Sequence, residues 1–289
     1  MFVLKEFKYI CRNTVQVLLA NYFMEGLNIL DYSDKGAAFI RTLDINGVIK
    51  NLTLEGSITG FTLVGAFVSV SNGNIINCVN KANIIAEWTV GGIAAQLKGS
   101  ISSCVNYGNI TNGKACCGGI VGDSFGYVSN STNYGTIGST DWCVGGIVGK
   151  TTKEIENCLN YGFVSARGHV GGVVGESSST VLECTNNGEV SITSVAFDYY
   201  GPVGGIIGKS TAEVTNCQNN GAVKAAWGEI GGIVGQAYGA ITNCYNNATG
   251  RVIGGAWSIC GNNRLYIKTY RRCIPFNILG LYCFNIKFH

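Results

Sequence analysis

A hexapeptide of the type Val-Gly-Gly-Ile-Val-Gly recurs along this chain, each time followed by Ile-x-Asn-Cys-x-Asn-x-Gly-x-Val or a close variant. Successive copies begin 26, 27, 27, 26, 33 and 27 residues apart, at Val64, Val90, Cys117, Val144, Val170, Val203 and Ile230. A degenerate copy at 49–58, with its upstream half at 37–40, precedes them. About eight units fill residues 36–259, and the fold must repeat with that period.

The repeat is too short, and has the wrong apolar residues, for a helical array. Helical repeats need about 33 residues or more, and leucine-rich repeats need leucine, yet residues 90–259 contain only Leu97, Leu159 and Leu182. The apolar positions hold isoleucine and valine, which favour strands, and glycine and asparagine separate them as turns. We therefore predict an all-β fold, a parallel β-solenoid, and specifically a right-handed three-sided β-helix of about eight coils of ~27 residues.

Each coil is expected to contain three short strands: the first around Gly-Gly-Ile-Val-Gly, the second around 155–158 and its counterparts, and the third centred on Val164 and its counterparts. Within the second strand, Ile155 and Cys158 are three residues apart and would face opposite sides if the strand were straight. Both positions are small and apolar in the repeat. We therefore predict a bend at Asn157 that turns both side chains inward.

Composition excludes several classes of protein. The 46% hydrophobic content argues against a disordered chain, and the 42 glycines do not recur at every third position as collagen requires. No apolar run approaches the ~20 residues of a membrane span, so no transmembrane segment is predicted. The net charge of +3 comes from the five basic residues of 260–289, and the repeat body is slightly acidic. Nucleic acid is therefore not an expected partner.

The hexapeptide and the I-x-N-C-x-N-x-G-x-V pattern that follows it resemble the GLUG repeats of bacterial surface and secreted proteins. Such repeats also occur in non-catalytic regions of proteins related to immunoglobulin A peptidases. The resemblance covers about residues 36–259, and residues 49–58 (IKNLTLEGSI) look like the entry coil of such an array. It implies an extracellular or cell-surface repeat module with no catalytic motif.

We interpret the chain as a scaffold for adhesion or domain presentation, because no convergent acid–base set is visible in the sequence. This interpretation predicts no enzyme activity and no cofactor, and its candidate partners are surface glycans and host or cell-surface proteins. A glycan-binding or glycan-cleaving β-helix is the alternative, since polysaccharide lyases and hydrolases also use β-helices.

Cysteine occupies two repeat positions. Ser131 shares the first with six of the 13 cysteines, namely Cys78, Cys104, Cys158, Cys184, Cys217 and Cys244. No C-x-x-C motif is present, so a row of small buried thiols is favoured there over a zinc site. At the second position, before the glycine pair, Cys116, Cys143 and His169 follow one another, and a disulfide or a metal site is open. The next coil offers Pro202 rather than a fourth ligand, so no metal site is assigned.

Two further positions are polar and periodic. The first predicts a ladder of stacked side-chain amides at a corner of the coils, and it holds Asn80, Asn106, Asn133, Asn160, Asn186, Asn219 and Asn246. The second alternates in charge on successive coils, which predicts attraction between neighbouring strands, and it holds Asp123, Lys150, Glu176 and Lys209.

Aromatic residues supply the candidate binding sites. One position on three successive coils holds Tyr107, Tyr134 and Tyr161. These rings either bind sugars or stabilise the sheet surface. The 33-residue coil has a surplus segment that contains Phe197, Asp198, Tyr199 and Tyr200. Insertions in solenoids form loops that are often on the binding face, and a loop folded against its own coil is the alternative.

The chain divides into three regions on this pattern. Residues 1–35 are expected to form an N-terminal cap or non-repeat segment, residues 36–261 the solenoid, and residues 262–289 a basic and aromatic tail outside the repeat. No clear signal peptide is recognised, because Glu6 and Lys8 crowd the apolar run and no small-residue cleavage site follows it.

Overall fold

The structure of this protein is a computed structural model that describes residues 2–3, 22–32, 34–112, 114–192, 201–225, 228–248 and 257–259. These residues form only strands, turns and bends, and the strands pair in parallel. The strands stack as a β-solenoid of about 8 turns with ~27 residues per turn. The predicted solenoid is therefore confirmed.

A coil contains five short strand segments rather than the predicted three. In a central coil they are Trp142–Gly145, Val148–Thr151, Ile155–Glu156, Leu159–Asn160 and Val164–Ala166. The first two predicted strands are each divided in two, at the glycine pair and at Asn157. Asn157 has a φ of 48°, in the left-handed region that ends regular strand geometry.

Like segments of successive coils pair in register, and five columns result. The first column contains Val64–Gly65, Val90–Gly91, Cys117–Gly118, Trp142–Gly145, Gly168–Gly171, Val203–Gly204, Glu229–Gly231 and Trp257–Ile259. The second contains Ile40–Leu43, Val68–Ser71, Ala94–Leu97, Val121–Ser124, Val148–Thr151, Val174–Ser177, Ile207–Ser210 and Val234–Ala237. The third contains Val48–Lys50, Asn74–Ile76, Ser100–Ser102, Tyr127–Ser129, Ile155–Glu156, Val181–Leu182, Val214–Thr215 and Ile241–Thr242.

The remaining two columns belong to one 16-stranded sheet. The fourth contains Val79–Asn80, Val105–Asn106, Thr132–Asn133, Leu159–Asn160, Thr185–Asn186, Gln218–Asn219 and Tyr245–Asn246. The fifth contains Asn83–Ala86, Ile110–Asn112, Ile137–Ser139, Val164–Ala166, Val190–Ile192 and Val223–Lys224. The long strand Leu52–Gly60 joins them, because it pairs with the first member of each.

A strand that precedes the repeat extends this sheet. Tyr22–Asp31 pairs in parallel with Leu52–Gly60, and Phe2–Val3 pairs with the start of Tyr22–Asp31. The segment expected to be a cap therefore contributes one long strand against the first coil. The tail at 262–289 lies outside the described residues.

The core consists of aliphatic columns in which each side chain lies on its counterpart. The third residue of the Gly-Gly-Ile segment is fully buried in coil after coil, as at Ile120, Ile147, Val173 and Ile206. Burying one such side chain stabilises the fold by about 1.5–3 kcal/mol. One unit has no partner for this surface, so stacking creates the core.

The corner at Asn157 recurs along the rod and has the predicted effect. Left-handed backbone is found at the same position in all eight coils, at Asn51, Asn77, Ser103, Asn130, Asn157, Glu183, Asn216 and Asn243. Asparagine tolerates this conformation better than most residues. Ile155 and Cys158, on either side of Asn157, are both fully buried, which confirms that the bend turns both inward.

The predicted asparagine ladder is present inside the coil. Each Nδ2 donates to the Oδ1 of the next asparagine along the rod, at 2.7–2.9 Å in all six steps from Asn80 to Asn246. Each of the first six amides also bonds the backbone two residues on, as Asn160 does with the N–H and carbonyl of Gly162. The stacked amides thus supply the hydrogen bonds that the buried polar groups at this corner of the coil need.

Candidate functional site

The main cysteine column is a buried structural feature. Cys104, Cys158, Cys184 and Cys217 are fully buried free thiols. Each donates to the carbonyl two residues earlier at 3.2–3.4 Å. Burial raises the pKa of the Cys184 thiol and that of Cys104. These enclosed thiols pack and hydrogen-bond within the coil, as small buried side chains do.

Ser131 occupies the same column and replaces the thiol with a hydroxyl. Its Oγ donates to the carbonyl of Ser129 at 2.8 Å and accepts the Cys104 N–H at 3.2 Å. The Cys184 sulfur accepts the Cys158 N–H in the same way, at 3.4 Å. The column therefore requires a small side chain that both donates and accepts, and thiol and hydroxyl meet this requirement.

The three tyrosines expected to share a position form a stack on the surface. Ring centroids lie 4.9 Å apart for Tyr107 and Tyr134 and 5.0 Å apart for Tyr134 and Tyr161, with interplanar angles of 5° and 8°. The residues are 51%, 46% and 46% exposed. The ring faces are turned toward one another along the rod, so Tyr134 has a tyrosine ring against each of its two faces.

The tyrosine stack is continued by amides. The same position on the following coils holds Asn187, Asn220 and Asn247. Asn220 donates to Asn187 at 2.8 Å and accepts from Asn247 at 3.3 Å. One face of the rod is thus lined first by phenols and then by carboxamides, all of them polar at the solvent edge.

The second aromatic candidate was the surplus segment with Phe197, Asp198, Tyr199 and Tyr200. These four residues lie outside the described residues, so the structure does not place them relative to the tyrosine stack. The coil that contains them resumes its register at Val203–Gly204, which pairs with Val170 and Gly171.

A cluster of three different ligand groups lies where the first and second columns meet. The Sγ of Cys143 is 3.9 Å from Nδ1 of His169 and 3.4 Å from Oε2 of Glu176, and these nitrogen and oxygen atoms are 3.2 Å apart. The sequence placed Cys143 and His169 at one repeat position. It did not place Glu176 with them, because Glu176 lies seven residues after His169, in the neighbouring column.

The fold brings these residues together through column packing. Trp142–Gly145 and Gly168–Gly171 are neighbours in the first column, and Val174–Ser177 packs beside them in the second. Cys143 and His169 have left-handed backbone, with φ of 59° and 46°. The same contact between columns recurs two coils later, where Gln236 donates to Glu229 at 3.3 Å. The spacing of seven residues, from His169 in the first column to Glu176 in the second, is therefore the sequence signal that could have identified Glu176.

Aromatic and charged neighbours enclose the cluster. The Trp142 ring meets the His169 ring edge-on at a centroid distance of 5.1 Å. A Cβ added to Gly168 would come within 2.8 Å of the Trp142 ring, so the indole lies against bare backbone. The Nζ of Lys150 is 3.8 Å from Oε1 of Glu176, the oxygen that does not face His169. The register of Lys150 with Glu176 confirms the predicted alternation of charge.

The charges within the cluster are strongly coupled. Burial disfavours the charged form of His169, but contacts with Cys143 and Glu176 outweigh it and raise the His169 pKa to about 9. The contact with His169 lowers the pKa of Glu176 to about 2, against the effect of burial. A hydrogen bond with Cys116, together with burial, raises the pKa of the Cys143 thiol. The cluster therefore contains an imidazolium–carboxylate pair beside a protonated thiol.

Comparison of the chain with family models, with curated proteins and with solved structures finds no match. The GLUG resemblance stays a prediction from the repeat pattern. Among the described residues, no helix has the length and apolar character needed to cross a membrane.

Proposed function

We propose that this chain is a non-catalytic extracellular repeat scaffold that serves adhesion, and that the tyrosine stack of Tyr107, Tyr134 and Tyr161 is its contact surface for glycans. The observation that carries the proposal is a row of three parallel, half-exposed phenols that repeat every 4.9–5.0 Å along the rod. Their hydroxyl groups offer donors and acceptors at the spacing of the coils.

The in-register coils support a scaffold role. Strand pairs keep their register from the first full coil to the coil at 230–246. A rod of this kind holds a surface feature in one orientation and positions any domain joined to it. The same regularity makes presentation of attached domains the second half of the proposed role.

The Cys143 cluster does not favour the glycan-cleaving alternative. Retaining and inverting glycosidases use a pair of carboxyl groups, and the cluster has one. In a thiol nucleophile site, one imidazole nitrogen faces the thiol and the other faces the orienting acid. Here both Cys143 and Glu176 approach Nδ1 of His169, and the Cys143 pKa is raised rather than lowered.

The test uses the purified full chain on a glycan array, together with a sugar-release assay on the bound glycans. We expect saturable binding without release. Replacing all three tyrosines with phenylalanine keeps the stacked rings but removes the hydroxyls, so binding should fall at least tenfold, about 1.4 kcal/mol, at an unchanged melting temperature. Tyr127→Phe, at an exposed tyrosine outside the stack, is the matched control.

Three outcomes would contradict the proposal. Sugar release would identify an enzyme. Binding that survives the triple substitution would move the contact surface away from the tyrosine stack. No binding to any glycan would remove carbohydrate as the partner and leave adhesion to proteins to be tested with the same variants.

A further inference from the structure

The Cys143 cluster has the chemistry and dimensions of a metal site. A zinc ion with bonds of about 2.3 Å to sulfur and about 2.0–2.1 Å to nitrogen or oxygen holds tetrahedral ligand atoms about 3.4–3.6 Å apart. The three distances between Sγ of Cys143, Nδ1 of His169 and Oε2 of Glu176 are 3.9, 3.4 and 3.2 Å. Each lies within about 0.4 Å of the zinc value. The three atoms can therefore be bridged by one ion with almost no movement.

The arrangement of the three atoms separates a metal site from a chain of hydrogen bonds. In a chain, each group faces only its neighbours. Here all three atoms lie within 3.9 Å of one another, and the same imidazole nitrogen is close to the sulfur and to the carboxylate oxygen. Such mutual convergence leaves one point that all three groups reach, and an ion bound at that point uses one donor atom from each residue.

The ligand types indicate which metal fits. One thiolate, one imidazole and one carboxylate form a mixed set of sulfur, nitrogen and oxygen donors, which suits zinc and does not suit calcium or magnesium. His169 is partly enclosed, with a side chain 17% exposed, and the Glu176 side chain is 25% exposed. An ion would therefore be shielded by Trp142 on one side and open to solvent on another.

Cys116 lies one coil before the cluster. It precedes Cys143 at the same repeat position, and its sulfur is not one of the three donor atoms that lie close to one another. Both are free thiols with intermediate exposure. The sequence alone assigns no metal site, because the next coil holds Pro202 in place of a further ligand. The structure adds Glu176 from the neighbouring column and so supplies a third donor beside Cys143 and His169.

We propose that Cys143, His169 and Glu176 bind one Zn²⁺ ion, with water as the fourth ligand. The ion joins adjacent coils in the middle of the rod, because Cys143 and His169 belong to successive members of the first column. This role does not depend on glycan binding, since the tyrosine stack follows the fourth column and shares no residue with the cluster.

The test begins with the full chain, reduced and freed of metal with a chelator, then titrated with Zn²⁺ alone in competition with a chromophoric chelator. We expect one ion per chain and a melting temperature that rises with zinc concentration. Titration with Co²⁺ should give the thiolate-to-metal charge-transfer absorption of a sulfur ligand and the visible bands of a tetrahedral site.

Variants locate the ion. Cys143→Ser, His169→Gln and Glu176→Gln should each weaken Zn²⁺ binding at least about tenfold, a loss that even supporting residues of metal sites produce. Cys116→Ser removes the thiol one coil before the cluster and should keep one ion per chain at a nearly unchanged affinity. Glu229→Gln is the matched control, because Glu229 occupies the first column two coils later and contacts Gln236 without a thiol or imidazole. It should leave Zn²⁺ affinity unchanged.

Several results would contradict the zinc site. The proposal is wrong if the reduced chain binds no Zn²⁺ at micromolar concentration, or if the Cys143, His169 and Glu176 variants bind it as tightly as the parent chain. Melting curves of each variant without metal establish that it is folded. Glu176→Gln should disturb the fold least, because glutamine has the size of glutamate and the position is partly exposed. A Cys116–Cys143 disulfide, found by mass spectrometry under non-reducing conditions, with no zinc bound after reduction, would also overturn it.

Discussion

The side-chain amide of Asn186 lies against the backbone of Gly172, so closely that a Cβ added to the glycine would come within 2.3 Å of the Asn186 Cγ and 2.2 Å of the Gly205 carbonyl. Neither neighbour can move away easily, because one is a buried ladder member and the other is backbone of the next coil. The second glycine of the repeated pair is therefore required by the asparagine ladder.

Gly172→Ala should destabilise the chain by about 3 kcal/mol or more, since overpacking a rigid interior costs about 1–3 kcal/mol and here backbone itself is in the way. Gly138→Ala is the control, because the nearest neighbour of its added Cβ would be the Ile110 carbonyl, 4.0 Å away. That variant should change stability by less than about 1 kcal/mol. Urea unfolding followed by circular dichroism measures both, and equal effects would refute the close-approach argument.

Asn160→Ala should cost about 3 kcal/mol or more. The fully buried amide bonds Asn133, Asn186 and both polar groups of Gly162, and each buried group left without a partner costs about 1–3 kcal/mol. Asn247→Ala removes an exposed amide with one 3.3 Å bond and should be nearly neutral. A small effect at Asn160 would mean that the ladder contributes shape but little stability.

Cys184→Ser should cost less than Cys184→Ala. The serine hydroxyl can donate to the Leu182 carbonyl and accept the Cys158 N–H, as the sulfur does at 3.2 and 3.4 Å and as Ser131 does in its own coil. Alanine leaves the buried Cys158 N–H without this acceptor, at about 1–3 kcal/mol. Thermal unfolding decides the order, and the reverse order would show that apolar burial matters more than the hydrogen bonds.

Alkylation should distinguish the two cysteine positions. Cys158, Cys184 and Cys217 are fully buried and should stay unmodified in the native chain over the time that unfolded chain reacts completely. Cys116 and Cys143 have intermediate exposure and should react before the buried cysteines. Peptide mass spectrometry after a timed reaction with iodoacetamide measures this, and rapid labelling of Cys184 would contradict the buried column.

Tyr134→Ala should destabilise the chain more than Tyr107→Ala. Tyr134 stacks on a tyrosine at each side, whereas Tyr107 has one tyrosine neighbour. Aromatic pairs contribute about 0.5–1.5 kcal/mol beyond burial, so the difference should be about that size. Equal losses in urea unfolding would indicate that the rings contribute through surface coverage and not through stacking.

Column membership was the part of the structure that the sequence predicted well. A repeat with fixed spacing places like residues on like residues, and this alone predicted the solenoid, the bend at Asn157, the amide ladder and the buried thiols. These features depend on the period and on residue type. They do not depend on how a side chain rotates.

Relations between columns were harder to predict. The sequence put Tyr107, Tyr134 and Tyr161 in one position but did not indicate that their faces would turn toward one another, because ring orientation is set by local packing. It put Glu176 in an alternating charge column and missed its contact with His169, because contact between columns depends on how sharply the coil turns at the glycine pair. The same turn split the first predicted strand in two.

The hydrogen bond between Asn186 and Asn219 spans a step of 33 residues and measures 2.8 Å, the same as the bond from Asn219 to Asn246 across 27 residues. Extra residues in one coil are therefore absorbed away from the ladder. A gene for such a chain can gain or lose one whole unit, or lengthen the loop of one unit, and each product still presents an amide to the amide before it. Loss of a single residue within 155–162 has no such compensation, because it moves the following residues out of register with the neighbouring coils. Whole coils and loop lengths are therefore the units in which this chain can vary, and the corners must keep their number of residues.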